Sequence, residues 1–351
     1  MTINMSKFGK VNQKEIAKEL GVSQSLISKI LAGKNEASPK VKEKILKAVK
    51  DKGYRPNFLV LGMQTGQTKT IGVVVPPDDF HSGIVQGIHD YLDNAGYAMI
   101  LVWNKEHVAS LDSRKELEYI HRLVDRRVDG VILRPTHDDV SDLYFKEVSE
   151  RGIPLVVVDR ELASTHYDFV GTDDIAGGEM AAKYLLGLGH RCLAQIAGPS
   201  FVSTSKDRRI GFERAVAEFG QDAVCRTIEA PEFRNVEKEV LQLLQVNPRP
   251  TAVFGANDNT ASEVYKVAVS LGIKIPEDLS VIGFGDLVLG GYMSPPLTTL
   301  RQNTYKIGEE AAKMLLGRCA GGKVRTSTQG KIRLKPELVV RGSTSVCRAY
   351  V

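Results

Sequence analysis

Short runs of apolar and β-branched residues alternate with helical patterns along the chain after residue 70. Ten of these runs predict strands, at residues 71–75, 98–103, 130–134, 154–159, 169–173, 192–198, 224–230, 252–257, 280–285 and 298–302. The runs are nearly all apolar, which is typical of parallel strands covered on both faces. The alternation predicts two doubly wound parallel sheets, with ligands bound at the carboxyl ends of the strands and in the cleft between the sheets.

The first 54 residues show no strand pattern and predict three short helices. Asn12 and Glu15 match a capping box at the start of the first helix, and Gly21 matches a left-handed residue at its end. Ser23 is placed to cap the second helix. The inward face of that helix is predicted from Leu26, Ile27 and Ile30.

A third helix is predicted between Ser38 as its N-cap and Gly53 as its stop, with Pro39 in the first helical position. Helical spacing gives it four inward residues: Val41, Ile45, Leu46 and Val49. Two short helices joined by a glycine turn are typical of a helix-turn-helix domain.

The outer face of the second helix displays four polar residues: Gln24, Ser25, Ser28 and Lys29. Glutamine can pair with adenine, lysine can donate to guanine, and serine can contact several base edges or a phosphate. Ordinary solvated positions are the alternative for each of them. Other lysines are assigned to phosphates or to solvent, namely Lys34, Lys40, Lys42 and Lys44.

The charges are unevenly distributed, although the whole chain has a net charge of only +5. Residues 1–69 hold 14 basic and five acidic groups, a net of +9, whereas the other 282 residues hold 33 and 37, a net of −4. A polyanion is therefore the expected partner of the head, and the body is not expected to contact DNA directly.

Several protein classes are disfavoured. No stretch approaches the roughly 20 apolar residues that span a bilayer, and the N-terminus has no signal-peptide pattern, so a cytoplasmic protein with no membrane partner is expected. The four cysteines lack metal-ligand spacing, and neither a metal nor a cofactor is predicted. Hydrolase, P-loop and zinc-protease motifs are absent, so an enzyme is not expected.

Three runs cover the head and its junction with the body: VNQKEIAKELGVSQSLISKILAG, SPKVKEKILKAVKDKGYRPN and TKTIGVVVP. They resemble the DNA-binding head of the lactose/galactose repressor (LacI/GalR) family of bacterial transcription regulators. The resemblance implies a homodimer on a near-palindromic operator, a small-molecule effector domain, and a hinge helix that forms on DNA. The predicted DNA contacts are Asn12, Ser23, Gln24, Ser25, Ser28, Lys29, Asn35, Tyr54 and Met63.

The hinge segment, residues 55–69, departs from the family pattern. In the family it forms a short helix that wedges a leucine into the minor groove, and the aligned wedge here is Met63. The usual arginine before the wedge is absent from Val60-Leu61-Gly62, and the glycine weakens a helix. An apolar linker packed against the body is the alternative.

The resemblance continues through VDGVIL, IPLVVVDRE, VGTDDIAGG, LGH, DRRIGF, FGANDNTA, LSVIGFGD and PPLTTLRQ. It implies an α/β bilobal effector domain like the periplasmic binding proteins, joined to the all-α head. The predicted domains are 1–54 for the head, 55–69 for the hinge and 70–351 for the effector-binding and dimerisation domain. The implied lobes are centred on about 71–170 with 299–325, and on 171–298 with the tail.

Polar side chains that follow the predicted strands are candidates to line the cleft. They are Asp79, Phe80 and Ser82 after the first strand, Arg134 after the third, Asp159 and Arg160 after the fourth, Asn257 and Asp258 after the eighth, and Gln302 at the crossover. Carboxylate and amide acceptors beside an arginine donor suit a polyhydroxylated ligand. The resemblance implies effector contacts at Phe80, Ser82, Arg134, Asp159, Thr204 or Arg208, Phe233 and Asn257.

Structural roles are the alternatives for these residues. Asp159 or Asn257 could cap a helix, Arg208 could form an interlobe salt bridge, and Phe233 could be a core residue. The family has two acidic residues after VIGF, whereas here Gly285 precedes the candidate contact Asp286.

The missing carboxylate beside Arg134 predicts a more positive pocket. The effector would then be an anionic or phosphorylated sugar derivative, or one that lacks a hydroxyl pair. The alternative is that Arg134 pairs with Asp159 or Asp138.

These patterns predict a sequence-specific transcription regulator, favoured as a repressor, whose affinity for operator DNA is controlled by a sugar or sugar derivative. Induction is favoured over corepression. A regulator with a purine or protein corepressor stays open, as does a sugar-binding protein of the same bilobal fold that does not bind DNA. The basic head and the missing signal pattern count against that last alternative.

Overall fold

The computed structural model describes residues 12–31, 36–54, 62, 66–104, 114–136, 146–163, 167–230, 236–320 and 330–347. The chain divides into two compact units, Met1–Thr70 with Arg127–Asp129, and Ile71–Arg126 with Gly130–Val351. The first unit contains the helical head, and the second contains the α/β body. The predictions on Lys34, Asn35, Met63, Asp138 and Phe233 lie outside the described residues.

The head consists of α1 (Gln13–Leu20), α2 (Gln24–Leu31) and α3 (Pro39–Asp51). The capping box of α1 is confirmed, because the Glu15 backbone N–H donates to Asn12 Oδ1 at 3.0 Å while Glu15 accepts from the Asn12 backbone. Gly21 ends α1 with a φ of 66°. Ser23 caps α2 by accepting from the Leu26 N–H at 3.1 Å. Local side-chain chemistry therefore sets these boundaries.

The core of the head is formed by Ile16, Ala17, Ile27, Ile30 and Ile45. The prediction that Leu46 points inward is wrong, since 44% of its surface is exposed. One residue advances a helix by about 100°, so Leu46 leaves the inner face on which residues 41, 45, 48 and 49 pack. Ser38 occupies the N-cap position of α3, but its hydroxyl makes no capping hydrogen bond.

The body contains two six-stranded sheets, which confirms the predicted architecture. The first has the order β11-β5-β4-β3-β1-β2 and the second β12-β10-β9-β8-β6-β7. The strands are β1 Thr70–Val75, β2 Ala98–Trp103, β3 Gly130–Leu133, β4 Leu155–Val158, β5 Asp168–Thr172, β6 Cys192–Ala197, β7 Val224–Glu229, β8 Ala252–Gly255, β9 Ser280–Gly285, β10 Thr298–Arg301, β11 Lys331–Leu334 and β12 Glu337–Val339. The pairs β1–β3, β3–β4, β4–β5, β6–β8 and β8–β9 are parallel, and β12 runs antiparallel to β10.

Helices cover the two sheets. They are α4 Asp79–Asn94, α5 Arg114–Asp125, α6 Asp174–Gly187, α7 Ser203–Phe219, α8 Glu237–Leu244, α9 Asp258–Ser270, α10 Val288–Tyr292 and α11 Thr304–Ala320. Helices α4 and α11 bury one face of the first sheet, whereas α6 and α7 lie on one face of the second sheet and α8 and α9 on the other. Within the part of the chain that is described, no helix has the length and apolar character needed to cross a bilayer.

The lobe assignments require three corrections, because β10 belongs to the second sheet, and β5 and β11 to the first. The chain passes between the lobes near residue 173, at residues 302–303 and at residues 335–336. The crossings therefore come a few residues later than predicted, and part of the tail returns to the first lobe. Thr172 and Gln302 tie two crossings together, since Gln302 Nε2 donates to Thr172 Oγ1 at 2.8 Å.

The strands at the sheet edges differ from the apolar pattern that the sequence predicts for covered strands. Strands β2 and β7 lie at edges and are only half buried. Strands β11 and β12 are absent from the prediction. Lys331 and Arg333 alternate with apolar residues in β11, which is typical of an edge strand.

Close helix crossings depend on glycine in both lobes. A Cβ at Gly178 of α6 would lie 2.1 Å from the Arg208 carbonyl oxygen, and one at Gly211 of α7 would lie 2.0 Å from that of Ile175. Gly87 of α4 and Gly308 of α11 show the same reciprocal contact in the first lobe. The four glycines therefore allow each helix pair to approach at backbone distance.

Candidate functional site

A narrow, partly open cavity lies between the carboxyl ends of the first sheet and the helices α6 and α7 of the second lobe. Carboxylates dominate its lining, and Arg333 contributes a cation. The lining residues are Asp159, Glu161, Phe169, Thr172, Asp174, Ser203, Thr204, Asp207 and Arg333. Acceptors and hydroxyls from both lobes therefore face one small space.

Asp159 follows β4 with a φ of 64°, and it is buried. Its Oδ2 lies 3.4 Å from Arg134 Nε and 3.6 Å from His81 Nε2. Burial acts to raise the pKa of Asp159, but His81 and Arg134 outweigh it and hold the pKa well below its ordinary value. Asp159 is therefore ionised at neutral pH. The structure therefore contains the Arg134–Asp159 pair, which was the predicted alternative to a more positive pocket.

His81 is a buried neighbour of the cavity residue Asp159 that the sequence analysis missed. Its Nδ1 lies 2.6 Å from Asp78 Oδ1, which also accepts from the His81 backbone N–H at 2.9 Å. Its Nε2 is buried and has no hydrogen-bond partner among the described residues. The D-x-x-H spacing at the start of α4 was the available signal, because an aspartate N-cap can hold a histidine three residues later. His81 thus directs its Nε2 towards the Asp159 carboxylate at 3.6 Å.

Arg208 of α7 is fully engaged inside the second lobe. Its Nε donates to Asp174 Oδ1 at 2.7 Å, its Nη1 to the Ala256 carbonyl at 2.8 Å, and its guanidinium lies 3.7 Å from the centre of the Phe284 ring. A longer contact of 3.5 Å reaches Gln302 Oε1. Burial raises the pKa of Asp174 to about 7, although the neighbouring Arg208 lowers it. Arg208 therefore positions the cavity wall.

Glu161 is a second residue that the sequence analysis missed, and it links the lobes. Its carboxylate pairs with Lys331 and Arg333 of β11, and its backbone N–H donates to Ser203 Oγ at 3.0 Å. Asp207 of α7 lies close enough to Glu161 for the two charges to interact, and burial together with Glu161 raises the pKa of Asp207. Strand β11 was not predicted, so its two cations could not be placed at the site.

The other predicted effector contacts are dispersed. Thr204 and Asp159 line the cavity, while Gln302 is buried at the adjacent crossover. Phe80 packs edge-on against His81, and the exposed Ser82 donates its hydroxyl to the Asp78 carbonyl at 2.9 Å.

Two further candidates occupy structural positions outside the cavity lining. Asn257 caps α9 by accepting from the Thr260 N–H at 2.8 Å. Asp286 accepts from Arg301 Nε at 2.6 Å and from Arg341 Nη2 at 2.5 Å. Its pKa is lowered because these arginines outweigh the effect of burial. Effector binding by either residue stays a prediction.

The predicted DNA surface of the head can be assessed where it is described. Gln24 and Ser25 are exposed on α2, and Lys29 Nζ lies 2.5 Å from Glu36 Oε2. Asn12 and Ser23 are exposed residues that cap helices. Tyr54 packs on the helical core. The described residues of this unit therefore offer a neutral polar helix face flanked by lysines of α1 and α3.

The described residues show no arrangement of side chains suited to metal binding or redox chemistry. No group of three or more His, Cys, Asp or Glu there has the arrangement of a metal site. Cys192, Cys225, Cys319 and Cys347 are free thiols. Burial raises the pKa of Cys192 and also that of Cys225, to about 11, so neither is an activated nucleophile.

Known proteins resemble both parts of the chain. Residues 13–57 match the family of bacterial regulatory proteins called the lacI family, and residues 182–344 match the family of periplasmic binding protein-like domains. The chain is 33% identical over 338 residues to the HTH-type transcriptional regulator DegA of Bacillus subtilis, with 94% of this chain and 97% of the relative covered. It is 29% identical over 334 residues to the HTH-type transcriptional repressor PurR of Photobacterium profundum, with 94% and 97% covered.

A solved structure, the transcriptional regulator CelR in complex with cellobiose, shares the architecture. Its TM-score is 0.68 at 26% identity, and the match covers 95% of this chain and 99% of that chain. The likeness therefore extends over head and body together.

Proposed function

The chain belongs to the lacI family of bacterial regulatory proteins, and we propose that it is a repressor whose operator affinity is set by a small polyhydroxylated effector bound between its lobes. As a member of this family it is a transcriptional regulator with an effector-binding domain, and not an enzyme. Because its target would be chromosomal DNA, we place it in the cytoplasm. The effector class, the operator contacts and the dimer are the proposed parts.

The single observation that carries the effector proposal is the cavity between the lobes. Its lining combines carboxylates, the hydroxyls of Thr172, Ser203 and Thr204, and the ring of Phe169. Sugar hydroxyls both donate and accept, so they can be satisfied by such a mixture, and a ring face can pack on an aromatic side chain.

The charge of the lining favours a neutral sugar over an anionic one. Four carboxylates face the cavity, whereas Arg134 and Arg208 already pair with Asp159 and Asp174. Arg333 in turn pairs with Glu161, so an added anion would have to compete with a carboxylate for each of these arginines. The cellobiose of the CelR structure is one sugar to test first.

Control of DNA binding requires the effector to prefer one arrangement of the lobes. A ligand with equal affinity for both arrangements shifts nothing, however tightly it binds. Residues of both lobes line the cavity, and Gln302 and Thr172 join two of the chain crossings beside it. An occupied cavity would thus stabilise a closed arrangement of the lobes.

Operator recognition is proposed for the exposed face of α2. Gln24, Ser25 and Lys29 would contact base edges in the major groove, and the lysines of α1 and α3 would contact phosphates. Met63 would act as the minor-groove wedge of the hinge. This division gives salt-dependent affinity to the lysines and sequence preference to α2.

A homodimer is proposed from an exposed apolar surface on the second lobe. Val288, Leu289 and Tyr292 lie together on the short helix α10, and all three are exposed. Monomeric proteins rarely leave such residues together in water, so a second copy is the expected cover.

Two measurements on the full-length protein test the proposal. Duplexes selected from a random DNA library supply the operator probe, and thermal shift identifies which neutral sugars, sugar phosphates or purine bases stabilise the protein. A neutral sugar should raise the melting temperature and change operator affinity at the same concentration. Stabilisation only by sugar phosphates or only by purines would contradict the proposed effector class.

A further inference from the structure

Lys29 is the only charged residue in the α2 sequence, and a carboxylate from outside the helix holds it. The Nζ of Lys29 lies 2.5 Å from Glu36 Oε2, and the two side chains remain 45% and 43% exposed. Gln24 and Ser25 lie exposed on the same helix. The surface that α2 presents therefore carries a donor and an acceptor side by side, without net charge.

A carboxylate at this place has a cost for a DNA-binding surface. Each free cation strengthens the attraction to phosphates, and Glu36 cancels the one that α2 contributes. An exposed ion pair contributes only about 0–1 kcal/mol to folding, so stability gives a weak reason for it. Both groups stay accessible, which leaves them available to an incoming ligand.

We infer that Lys29 and Glu36 act together to recognise one G·C base pair in the major groove. Lys29 donates to the N7 and O6 acceptors of guanine, and Glu36 accepts from the N4 amino group of the paired cytosine. The guanine acceptors and the cytosine amino group lie next to each other on the edge of the base pair. The Lys29 ammonium and the Glu36 carboxylate lie next to each other in the same way. The inference rests on the proposed entry of α2 into the major groove.

The same pair of side chains rejects A·T in that orientation. Adenine places its N6 amino group where guanine has O6, and thymine places its O4 oxygen where cytosine has N4. Lys29 would then keep only the N7 acceptor and face a donor at N6, while Glu36 would face an acceptor, so both contacts become less favourable. Glu36 is therefore a specificity residue that works by rejecting the wrong pair as well as by binding the right one.

Selection of duplexes from a random library by the full-length protein, followed by competition binding with G·C or A·T at each position, tests the inference. The unmodified protein should prefer G·C at one position of each half-site by roughly tenfold or more. Glu36→Ala and Lys29→Ala should each reduce that preference several-fold at the same position. Glu19→Ala is the matched control, since Glu19 holds Lys52 at 2.5 Å elsewhere on the head.

One result would overturn the inference and keep the proposed function. Glu36→Ala would bind all duplexes more tightly, with a steeper salt dependence and an unchanged preference, if Glu36 only masked the charge of Lys29. A protein that selects no sequence from the library would contradict the proposed function itself. Loss of the G·C preference in Glu19→Ala as well would show that the head had been perturbed in general, and would also overturn the inference.

Discussion

Arg208 and Asp174 form a buried ion pair that joins α7 to α6, with Arg208 Nε donating to Asp174 Oδ1 at 2.7 Å. Asp174 also lines the cavity between the lobes. Because burial raises its pKa to about 7, its charge changes near neutral pH even though Arg208 opposes the shift. The charge that a bound ligand meets is therefore coupled to the proton on Asp174.

Replacement of Asp174 by asparagine should change how folding stability depends on pH. The pKa of Asp174 rises from 3.8 to about 7 on folding, so the folded state holds the proton more tightly. Its contribution to stability is fully present below about pH 4 and is lost as pH rises towards 7, by at most about 1.4 kcal/mol per pH unit. Urea unfolding between pH 4 and 8 should show the stability of the wild type falling relative to Asp174→Asn up to pH 7. A difference that is constant over this range would refute the assignment.

Gly178→Ala should destabilise the second lobe. The added Cβ would lie 2.1 Å from the Arg208 carbonyl oxygen, so α6 and α7 would have to separate. Overpacking of this kind costs about 1–3 kcal/mol, which thermal or urea unfolding resolves. Gly187→Ala, at the end of the same helix, is the control, because nothing lies within 4 Å of its added Cβ. Equal effects of the two substitutions would rule out the close crossing as the cause.

Neighbouring residues of α3 should respond very differently to truncation. Ile45→Ala removes a fully buried side chain and should cost the head about 2–4 kcal/mol. Leu46→Ala should change stability by less than about 0.5 kcal/mol, because the side chain is exposed. Thermal unfolding of the head, followed by circular dichroism, together with a DNA-binding measurement distinguishes the two variants. Similar losses of stability in the two variants would instead support the sequence-based prediction that Leu46 points inward.

His81→Ala should weaken effector binding by roughly tenfold, since His81 lies 3.6 Å from the cavity residue Asp159 and helps to hold its carboxylate ionised. Ser82→Ala should have little effect, because its hydroxyl donates to the Asp78 carbonyl. Calorimetric titration with the stabilising sugar gives both affinities, and operator binding without sugar serves as a folding control. A loss confined to Ser82→Ala would support the sequence-based assignment instead.

The local features of the fold could be predicted from the sequence, whereas long-range ones could not. The caps at Asn12 and Ser23 depend on residues within one helical turn, so their chemistry is visible in the sequence. Strand β11 carries lysine and arginine on an edge, and its parallel pairing with β5 joins residues about 160 positions apart. Its contribution of Arg333 to the cavity was therefore beyond the reach of the sequence pattern.

The same limit applies to the candidate site. Asp159 and Thr204 follow strand ends or a family pattern, and both line the cavity. The role of His81 depends on how α4 places its ring against a residue after β4, which no local pattern encodes. Asn257 follows a strand as expected, but the nearest open backbone N–H groups belong to its own helix, and it caps that helix.

The late return of the chain to both lobes has a consequence for synthesis. The head has its own core within residues 12–54 and can form as soon as that segment leaves the ribosome. Each sheet, in contrast, receives its last strand from β11 or β12, after residue 330. A nascent or prematurely terminated chain would therefore carry a finished head while the cavity between its lobes still lacked Arg333.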